Sequence, residues 1–153
     1  MEHATVEELE SFDRAGASVR SLTEALGLGD VAINHYTLEE GERFSGGMHT
    51  HVDQEEIFYV IEGTAAFETP DGEVEVEAGE VVRFAPGDYQ SGKNAGDGTA
   101  EALALGAPKE STDVRVPMPC TECESEDIRA IPAEDGFTFE CPECGESFDA
   151  PPV

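Results

Sequence analysis

Two histidines and a glutamate near the middle of the chain have the residue types and the spacing of a metal site. His49 and His51 are separated by one residue, and on a β-strand positions i and i+2 point to the same face. Glu56 opens an apolar run at residues 57–61 that is rich in β-branched and aromatic side chains and predicts a buried strand. Two imidazoles and a carboxylate that meet in a small barrel can hold a divalent transition metal and leave coordination positions open.

The spacing of this stretch resembles the first motif of the cupin superfamily. That motif reads His-x-His, three or four residues, Glu, six residues, Gly. The chain has His49-x-His51, then four residues before Glu56 and six more before Gly63, so this motif is complete. The loop that leads into the histidines departs from the pattern, because Arg43 stands where cupins usually carry a glycine.

A second stretch resembles the other cupin motif, which reads Gly, five residues, Pro-x-Gly, two residues, His, three residues, Asn. The positions in register are Gly79, Gly87 and Asn94. Two positions differ, because Ala85 replaces the proline and Gln90 replaces the histidine that is normally a metal ligand. The resemblance covers roughly residues 30–106 and implies a cupin jelly-roll β-barrel.

The resemblance also implies a ligand set for a metal in the barrel. His49, His51 and Glu56 would be ligands, and Gln90 would be a fourth ligand or an amide that hydrogen-bonds to them. An amide oxygen is a poor substitute for imidazole toward zinc or copper, but it is tolerable for manganese or iron(II). The metal stays open among Mn, Fe, Zn and Ni. The alternative is a cupin whose polar residues line a solvated pocket without a metal.

All four cysteines of the chain lie in one segment, as Cys120-x-x-Cys123 and, after seventeen residues, Cys141-x-x-Cys144. This spacing is typical of a four-thiolate zinc site, and it resembles the paired knuckles of rubredoxin and the zinc ribbons. Because about thirty residues cannot build a stable core alone, we expect structural zinc to supply folding free energy. Two disulfides or four free thiols are the alternatives, and a cytosolic setting argues against disulfides.

Strand-like segments separated by turn signals organise the rest of the sequence. Val74 and Val76 alternate with glutamates, as in a strand with one wet face, and turn signals recur at the spacing typical of sandwiches and barrels. We therefore expect an all-β fold, a jelly-roll barrel followed by a small zinc ribbon. The predicted divisions are a partly helical lead-in that packs on the barrel (1–30), the cupin barrel (31–108), a linker (109–117) and the ribbon (118–150).

Some local features carry predictions of their own. Ser21, Glu24 and Gly27 have the spacing of a helix cap, its capping partner and a terminator. Residues 92–98 are polar and predict a loop, in which Lys93 faces solvent or, as the alternative, an anionic ligand at the barrel mouth.

Side-chain parity predicts which residues surround the metal. Phe58 and Val60 share the parity of Glu56 on their strand and should wall an apolar pocket. Tyr89 adjoins Gln90 and would point away from it on a strand. His35 lies on the first barrel strand, where a lone histidine is more often a core or surface group than a ligand.

The composition is strongly acidic. Acidic residues outnumber basic ones 35 to 8, which gives a formal net charge of −27, and they are spread along the whole sequence. This distribution resembles the cytoplasmic proteins of salt-accumulating halophiles, in which screening removes self-repulsion. An acidic surface that docks a basic partner is the alternative. Because no segment has the ~20 apolar residues that span a bilayer and residues 1–10 lack the pattern of a signal peptide, we expect a cytoplasmic protein with no membrane partner.

The charge also bears on macromolecular partners. Residues 109–153 carry twelve acidic and three basic side chains, a net of −9, which makes nucleic acid an unlikely partner for the ribbon. The ribbon is better interpreted as a stabilising or protein-docking module. Resemblance to other cupins implies a homodimer that forms through a barrel edge strand.

Two functional hypotheses remain. In the first, the protein is a metal-dependent enzyme, an oxygenase, isomerase or decarboxylase, that acts on a small organic acid or sugar-like ligand. In the second, it is a non-catalytic binding or sensor module, and Gln90 marks the loss of catalytic metal chemistry. The fold does not choose between them, and no catalytic acid or base is assigned.

Overall fold

The computed structural model describes residues 1–134 and 136–148, which fold mostly into β-strands. The predicted end of the ribbon at residue 150 lies outside these described residues. Besides a 3-10 turn at Val6–Glu8 and a helix α1 at Leu22–Leu26, the strands are, in chain order, β1 (Phe12–Arg14), β2 (Ala17–Ser21), β3 (Ala32–Leu38), β4 (Thr50–His51), β5 (Glu55–Glu62), β6 (Thr64–Thr69), β7 (Gly72–Glu77), β8 (Val81–Phe84), β9 (Ser91–Asn94), β10 (Ala100–Ala107), β11 (Val114–Val116), β12 (Ile128–Ala133), β13 (Gly136–Glu140) and β14 (Ser147–Phe148).

Two antiparallel sheets form the barrel. The larger sheet has the order β1-β2-β3-β10-β5-β8, and the smaller has the order β7-β6-β9. Four phenylalanines fill the space between them, with ring centroids 4.8–6.1 Å apart in the contacting pairs; they are Phe44, Phe58, Phe67 and Phe84. Their burial supplies much of the apolar area that stabilises the barrel.

Strand β9 corrects a sequence-based prediction. Residues 92–98 were expected to form a loop, but Ser91–Asn94 pair with β6 in the smaller sheet. A side chain at Gly92 would lie 2.5 Å from the Phe67 ring, so only glycine fits beneath the aromatic cluster. The Asn94 amide donates to the carbonyls of Leu38 and Gly98. Small and amide residues are therefore buried here, and polarity alone was a misleading signal for a loop.

The N-terminal segment is more β-structured than its sequence suggests. The predicted helix is present, because the Ser21 side chain accepts from the Glu24 amide and Gly27 ends the helix with a φ of 61°. Strand β2, however, pairs with β3 and extends the large sheet, and β1 follows at its edge. The expectation of a partly helical lead-in is therefore incomplete, because residues 12–14 and 17–21 form strands of the large sheet.

A third sheet joins the cysteine-bearing region to the barrel, with the order β14-β13-β12-β11-β4. Strand β11 lies within the segment expected to be a linker. It pairs with β12 on one side and with β4 on the other, where Val114 is opposite His51 and Arg115 is opposite Thr50. The strand that carries His51 therefore belongs to the same hydrogen-bonded sheet as the cysteine-bearing hairpins.

Asp53 fixes the approach to β11. Its carboxylate accepts from the Ser111 hydroxyl at 2.6 Å and from the Thr112 amide and hydroxyl, both at 2.7 Å. Burial alone would raise the pKa of Asp53, but these hydrogen bonds hold it well below its ordinary value. The carboxylate is therefore charged in the folded protein at any pH above strongly acidic values.

Side chains on the face of this sheet add an ionic network. Arg115 and Arg129 both contact Asp113, and Arg115 also contacts Asp127. The Tyr89 hydroxyl, which comes from the barrel, donates to Asp127 at 3.2 Å. Burial, followed by the Asp127 charge, raises the pKa of Tyr89 to about 12. The barrel and the cysteine-bearing region therefore share polar contacts as well as backbone pairing.

Replacing Asp53 with alanine should lower the free energy of unfolding at pH 7 by about 2–3 kcal/mol, because hydrogen bonds to a charged group are lost. Urea unfolding followed by circular dichroism at constant salt measures this change. Asp71→Ala, which removes the same charge from an exposed turn, should change it by less than about 0.5 kcal/mol.

The Asp53 contribution also has a defined pH dependence. Because the folded-state pKa lies below the unfolded value, the stabilisation is present above the unfolded pKa and is lost as the pH falls towards the folded one. The difference between wild type and Asp53→Ala should therefore shrink below about pH 4. Equal stability of the Asp53→Ala and Asp71→Ala proteins at pH 7 would contradict the assignment.

Candidate functional site

Three strands bring the predicted ligands together. His49 precedes β4 and forms a backbone bridge with Gln90, in which each amide donates to the other residue's carbonyl at 2.9–3.1 Å. His51 ends β4, and Glu56 lies near the start of β5. The site is therefore fixed by backbone pairing on both sides of the histidines.

The side chains of His49, His51 and Glu56 converge as the sequence predicts. One ligand-type atom from each residue lies within 4.8 Å of the other two. Glu56 Oε1 lies 3.4 Å from His51 Nε2. All three side chains are half-buried, which is suitable for a site that is open on one side to a ligand.

Both imidazoles are held in states that suit metal binding. His49 Nδ1 lies 2.9 Å from the Gly47 carbonyl, which can only accept, so Nδ1–H donates to it and Nε2 is the nitrogen left for a metal. Burial, partly offset by the Glu56 charge, lowers the pKa of His51. His51 is therefore neutral at pH 7, and a neutral imidazole is the form that ligates.

Gln90 lies at the same point and is 2% exposed. Its amide nitrogen donates to Glu56 Oε2 at 2.9 Å and lies 3.5 Å from His49 Nε2. The amide group therefore orients the carboxylate. Its oxygen is the atom that remains available as a ligand.

One buried polar atom of this site, Gln90 Oε1, lacks a hydrogen-bond partner among the described residues. A buried polar atom without a partner costs about 1–3 kcal/mol, so such atoms are usually satisfied by something bound. Two imidazoles, a carboxylate and an amide oxygen are also a donor set that divalent transition metals accept. The residues present therefore fit a metal.

The site opens into a cavity of about 350 Å³ that is lined by strands of the larger sheet and by the segments around β4 and β11. Phe58 lines it as predicted, whereas Val60 lies in the barrel core. Polar groups on the cavity wall include Asn34, Tyr36 and Gln54. The volume is in the range of small-molecule sites.

Sequence analysis did not identify two cationic residues of this cavity. Arg14 and Lys109 both line it, from β1 and from the chain just after β10. Arg14 was missed because its segment was not recognised as a strand. Lys109 was missed because only the pairing of β4 with β11 folds residues 109–114 back over the barrel mouth.

Other candidates lie elsewhere. His35 is buried on β3, and its Nε2 contacts Glu101 at 3.5 Å. Lys93 lies on β9 and pairs with Glu68 and Glu73 outside the cavity, so the alternative of a barrel-mouth lysine is wrong. Tyr89 points away from the metal site, as parity predicts, and reaches the cysteine-bearing region.

The four cysteines also converge. Their sulfur atoms lie within 4.8 Å of one another, and none is in a disulfide. Cys120 Sγ lies 3.7 Å from Cys144 Sγ, and Cys123 Sγ lies 3.5 Å from Cys141 Sγ. Hydrogen bonding from the Cys144 backbone lowers the pKa of Cys141, which favours a thiolate there. Four sulfurs at this separation could hold one metal ion.

Comparison with known proteins agrees with this architecture. Residues 34–106 match the cupin domain family. The chain therefore has a mostly β-strand cupin fold, followed by a β region that holds a four-cysteine cluster. The predicted all-β fold class is confirmed.

Solved structures share the fold. A sugar phosphate isomerase of the cupin superfamily from Silicibacter pomeroyi is 21% identical, with 94% of each chain covered and a TM-score of 0.71. A putative sugar phosphate isomerase from Acidithiobacillus ferrooxidans is 23% identical, with 71% of each chain covered and a TM-score of 0.61. The Streptomyces nucleoside dehydratase PAC13 is 18% identical, with 72% of this chain and 85% of that chain covered and a TM-score of 0.58.

No curated protein matches the chain. Among the described residues, no helix is both long enough and apolar enough to cross a membrane.

The hydrogen bond between Gln90 and Glu56 predicts a specific effect of Gln90→Glu on the metal-free protein. This change would place two buried carboxylates in contact and raise the pKa of the pair above the unfolded value. The penalty therefore grows as the pH rises, and the free energy of unfolding should fall by about 2–4 kcal/mol at pH 8, with partial recovery at pH 5.

Urea unfolding of chelator-treated protein at the two pH values measures this effect. Gln90→Leu is the matched control, because it removes the hydrogen bond without adding a charge and should show a smaller change in stability between the two pH values. A Gln90→Glu protein with the pH dependence of the leucine variant would show that the two side chains are not in contact.

Proposed function

We propose that the protein is a metal-dependent cupin that binds a small hydroxylated organic ligand in its barrel. The observation that carries this proposal is the convergence of His49, His51 and Glu56 within 4.8 Å at the wall of a cavity of about 350 Å³. Three protein ligands leave open coordination positions, which a catalytic site needs and a structural site does not.

The protein's own groups have distinct tasks in this proposal. The Gly47 carbonyl keeps His49 Nε2 aimed at the site, and the Gln90 amide nitrogen orients Glu56. The bound divalent ion would supply a Lewis acid that polarises a carbonyl or hydroxyl oxygen of the ligand. The amide oxygen of Gln90 favours manganese or iron(II) over zinc. Phe58 and the other apolar wall residues exclude water around the reacting part of the ligand.

The nature of the ligand is supported by the neighbouring structures. Two of them are described as sugar phosphate isomerases and a third as a nucleoside dehydratase, and the dehydratase has been crystallised with uridine. These proteins handle small, hydroxylated molecules of a size that the cavity of this chain accommodates. The proposed reaction is therefore either an isomerisation or a dehydration of a sugar-like compound.

A second function remains in view because of Gln90. An amide in place of the third imidazole weakens metal binding, and the barrel would then be a non-catalytic binding or sensor module. This alternative uses the same cavity and the same ligand class, but it needs no metal in the barrel.

The four-cysteine region is proposed to hold one structural zinc ion through Cys120, Cys123, Cys141 and Cys144. Its apolar core is small, with Ile128 fully buried among few partners, so metal binding would supply the folding free energy. Because β11 connects this region to β4, the zinc would also stabilise the strand that carries His51.

Elemental analysis of the purified protein tests the two metal sites together. The wild type should contain one zinc and close to one further divalent metal per chain. His49→Ala should lose the further metal and keep the zinc, because its cysteine cluster is unchanged. A wild type that contains one zinc alone, unaltered by the mutation, would favour the non-catalytic alternative.

Cys141→Ser gives the complementary comparison. It should lose the zinc and, through the shared sheet, reduce the metal content of the barrel as well. His35→Ala is the matched histidine control, since His35 lies away from both clusters, and it should leave both metals in place. Loss of metal in the His35 variant would indicate general unfolding.

The acidic composition supports a salt-rich cytoplasm as the working environment, with a net charge of −27 screened by salt. A homodimer is also proposed. Tyr59, Ile61 and Val81 are 41–63% exposed on β5 and on the edge strand β8, and a second barrel would cover them.

Light scattering in concentrated potassium chloride tests the dimer. The wild type should have twice the chain mass, and Val81→Glu should be monomeric because it places a charge in the apolar contact. Val74→Glu, on β7 of the other sheet, should stay dimeric. A monomeric wild type would contradict the proposal.

A further inference from the structure

The basic residues of this chain are few, and most are already engaged. Five of the eight form ion pairs with carboxylates; they are Arg43, Arg83, Lys93, Arg115 and Arg129. Arg20 donates to the Leu9 carbonyl. Among the described residues, Arg14 and Lys109 have no carboxylate within 4.0 Å, although acidic residues outnumber basic ones more than fourfold.

These two cations line the same cavity as the candidate metal ligands. Glu56 is the only acidic residue on the cavity wall within the described part of the chain. Two cations against one carboxylate give the cavity a formal charge of +1, and a divalent metal would raise it further. A positive cavity inside a protein of net charge −27 attracts anions. The solvation of an acidic surface, which accounts for the overall charge, does not account for this local excess of cations.

A tyrosine hydroxyl accompanies Arg14 on the cavity wall. Arg14 Nη1 donates to the Tyr36 hydroxyl at 3.0 Å, which leaves the Tyr36 O–H free to donate in turn. Burial raises the pKa of Tyr36, so this proton is retained at neutral pH. The Ser45 and Ser111 hydroxyls also line the wall, but they already donate to the Gly47 carbonyl and to Asp53, so Arg14, Lys109 and Tyr36 supply the donors for a ligand. Hydroxyl and guanidinium donors are the groups that recognise carboxylate and phosphate oxygens.

We propose that the cavity binds a small organic anion and that Arg14 and Lys109 recognise its carboxylate or phosphate group. The remainder of the ligand would reach His49, His51 and Glu56 on the same cavity wall. This inference rests on the proposed function for the location of the site, but the anion contacts do not require a bound metal. It assigns the specificity of the barrel to a strand and a loop that lie outside both sequence motifs.

Isothermal titration calorimetry with three matched sugars tests the proposal. Ribose 5-phosphate, ribonate and ribose differ in carrying a phosphate, a carboxylate or no charge. At least one of the two anions should bind about tenfold or more tightly than ribose, because a hydrogen bond to a charged group contributes about 1.5–3 kcal/mol. The anion that binds more tightly distinguishes a phosphate from a carboxylate site.

Charge-removing variants locate the contacts. Arg14→Gln and Lys109→Gln should each weaken binding of the preferred anion about tenfold and so reduce its preference over ribose. Arg83→Gln is the matched control, because it removes the same charge from an ion pair outside the cavity. Circular dichroism melts of all three variants verify that each is folded.

The outcomes separate this proposal from the one on which it rests. Metal analysis of the same samples reports on the barrel metal, and titrations of chelator-treated protein report on the anion contacts alone. A protein without barrel metal that still prefers the anion would refute the metal proposal and support this one. Equal affinity for all three sugars, no binding at millimolar concentration, or an equal loss in Arg83→Gln would overturn it.

Discussion

The backbone pairing of β4 with β11 is the constraint on which the functional half of the molecule depends. Strand β4 has only two residues, and one of them is His51. Alone, so short a strand has little to fix its position. The bridge between His49 and Gln90 holds it on one side, and β11 holds it on the other, opposite His51 itself. Because successive side chains of a strand face opposite ways, this pairing also decides that His51 faces the cavity.

Nearly all basic side chains fall into two groups, those paired with carboxylates and those that line the cavity. Most basic side chains neutralise nearby carboxylates, either on the barrel surface or at the joint with the cysteine-bearing region, where Arg115 and Arg129 share Asp113. Exposed pairs of this kind contribute little to stability individually. A network of several pairs that includes β11 stabilises the same arrangement of strands as the backbone pairing. The cavity is the exception, because its cations face a single carboxylate. Charge therefore organises both the scaffold and the candidate site.

Much of this arrangement was accessible from the sequence. The parity of His49 and His51, and the motif that continues to Glu56, predicted the convergence of these side chains, because strand geometry alone determines it. The helix capped by Ser21 was equally local. The prediction failed where tertiary contacts decide the outcome.

Those failures share a physical cause. Residues 91–94 form a strand that an aromatic cluster covers. Residues 114–116 form a strand because they pair with β4 and β12, which are distant in sequence. Neither reason is visible in local composition. The same limit hid Arg14 and Lys109, whose position at the cavity depends on which distant strands lie next to each other.

The continuous sheet from β14 to β4 has a consequence for how such a chain can be divided or recombined. In sequence, the molecule looks like two interchangeable modules with a spacer between them. In space, the boundary between the modules runs along a hydrogen-bonded ladder one strand away from the candidate site. A cut at that boundary would uncover an edge beside His51, and a spacer altered by one residue would turn its ladder partners to the wrong face. The length of segment 107–117 and the register of β11 are therefore constrained by the same pairing that positions His51.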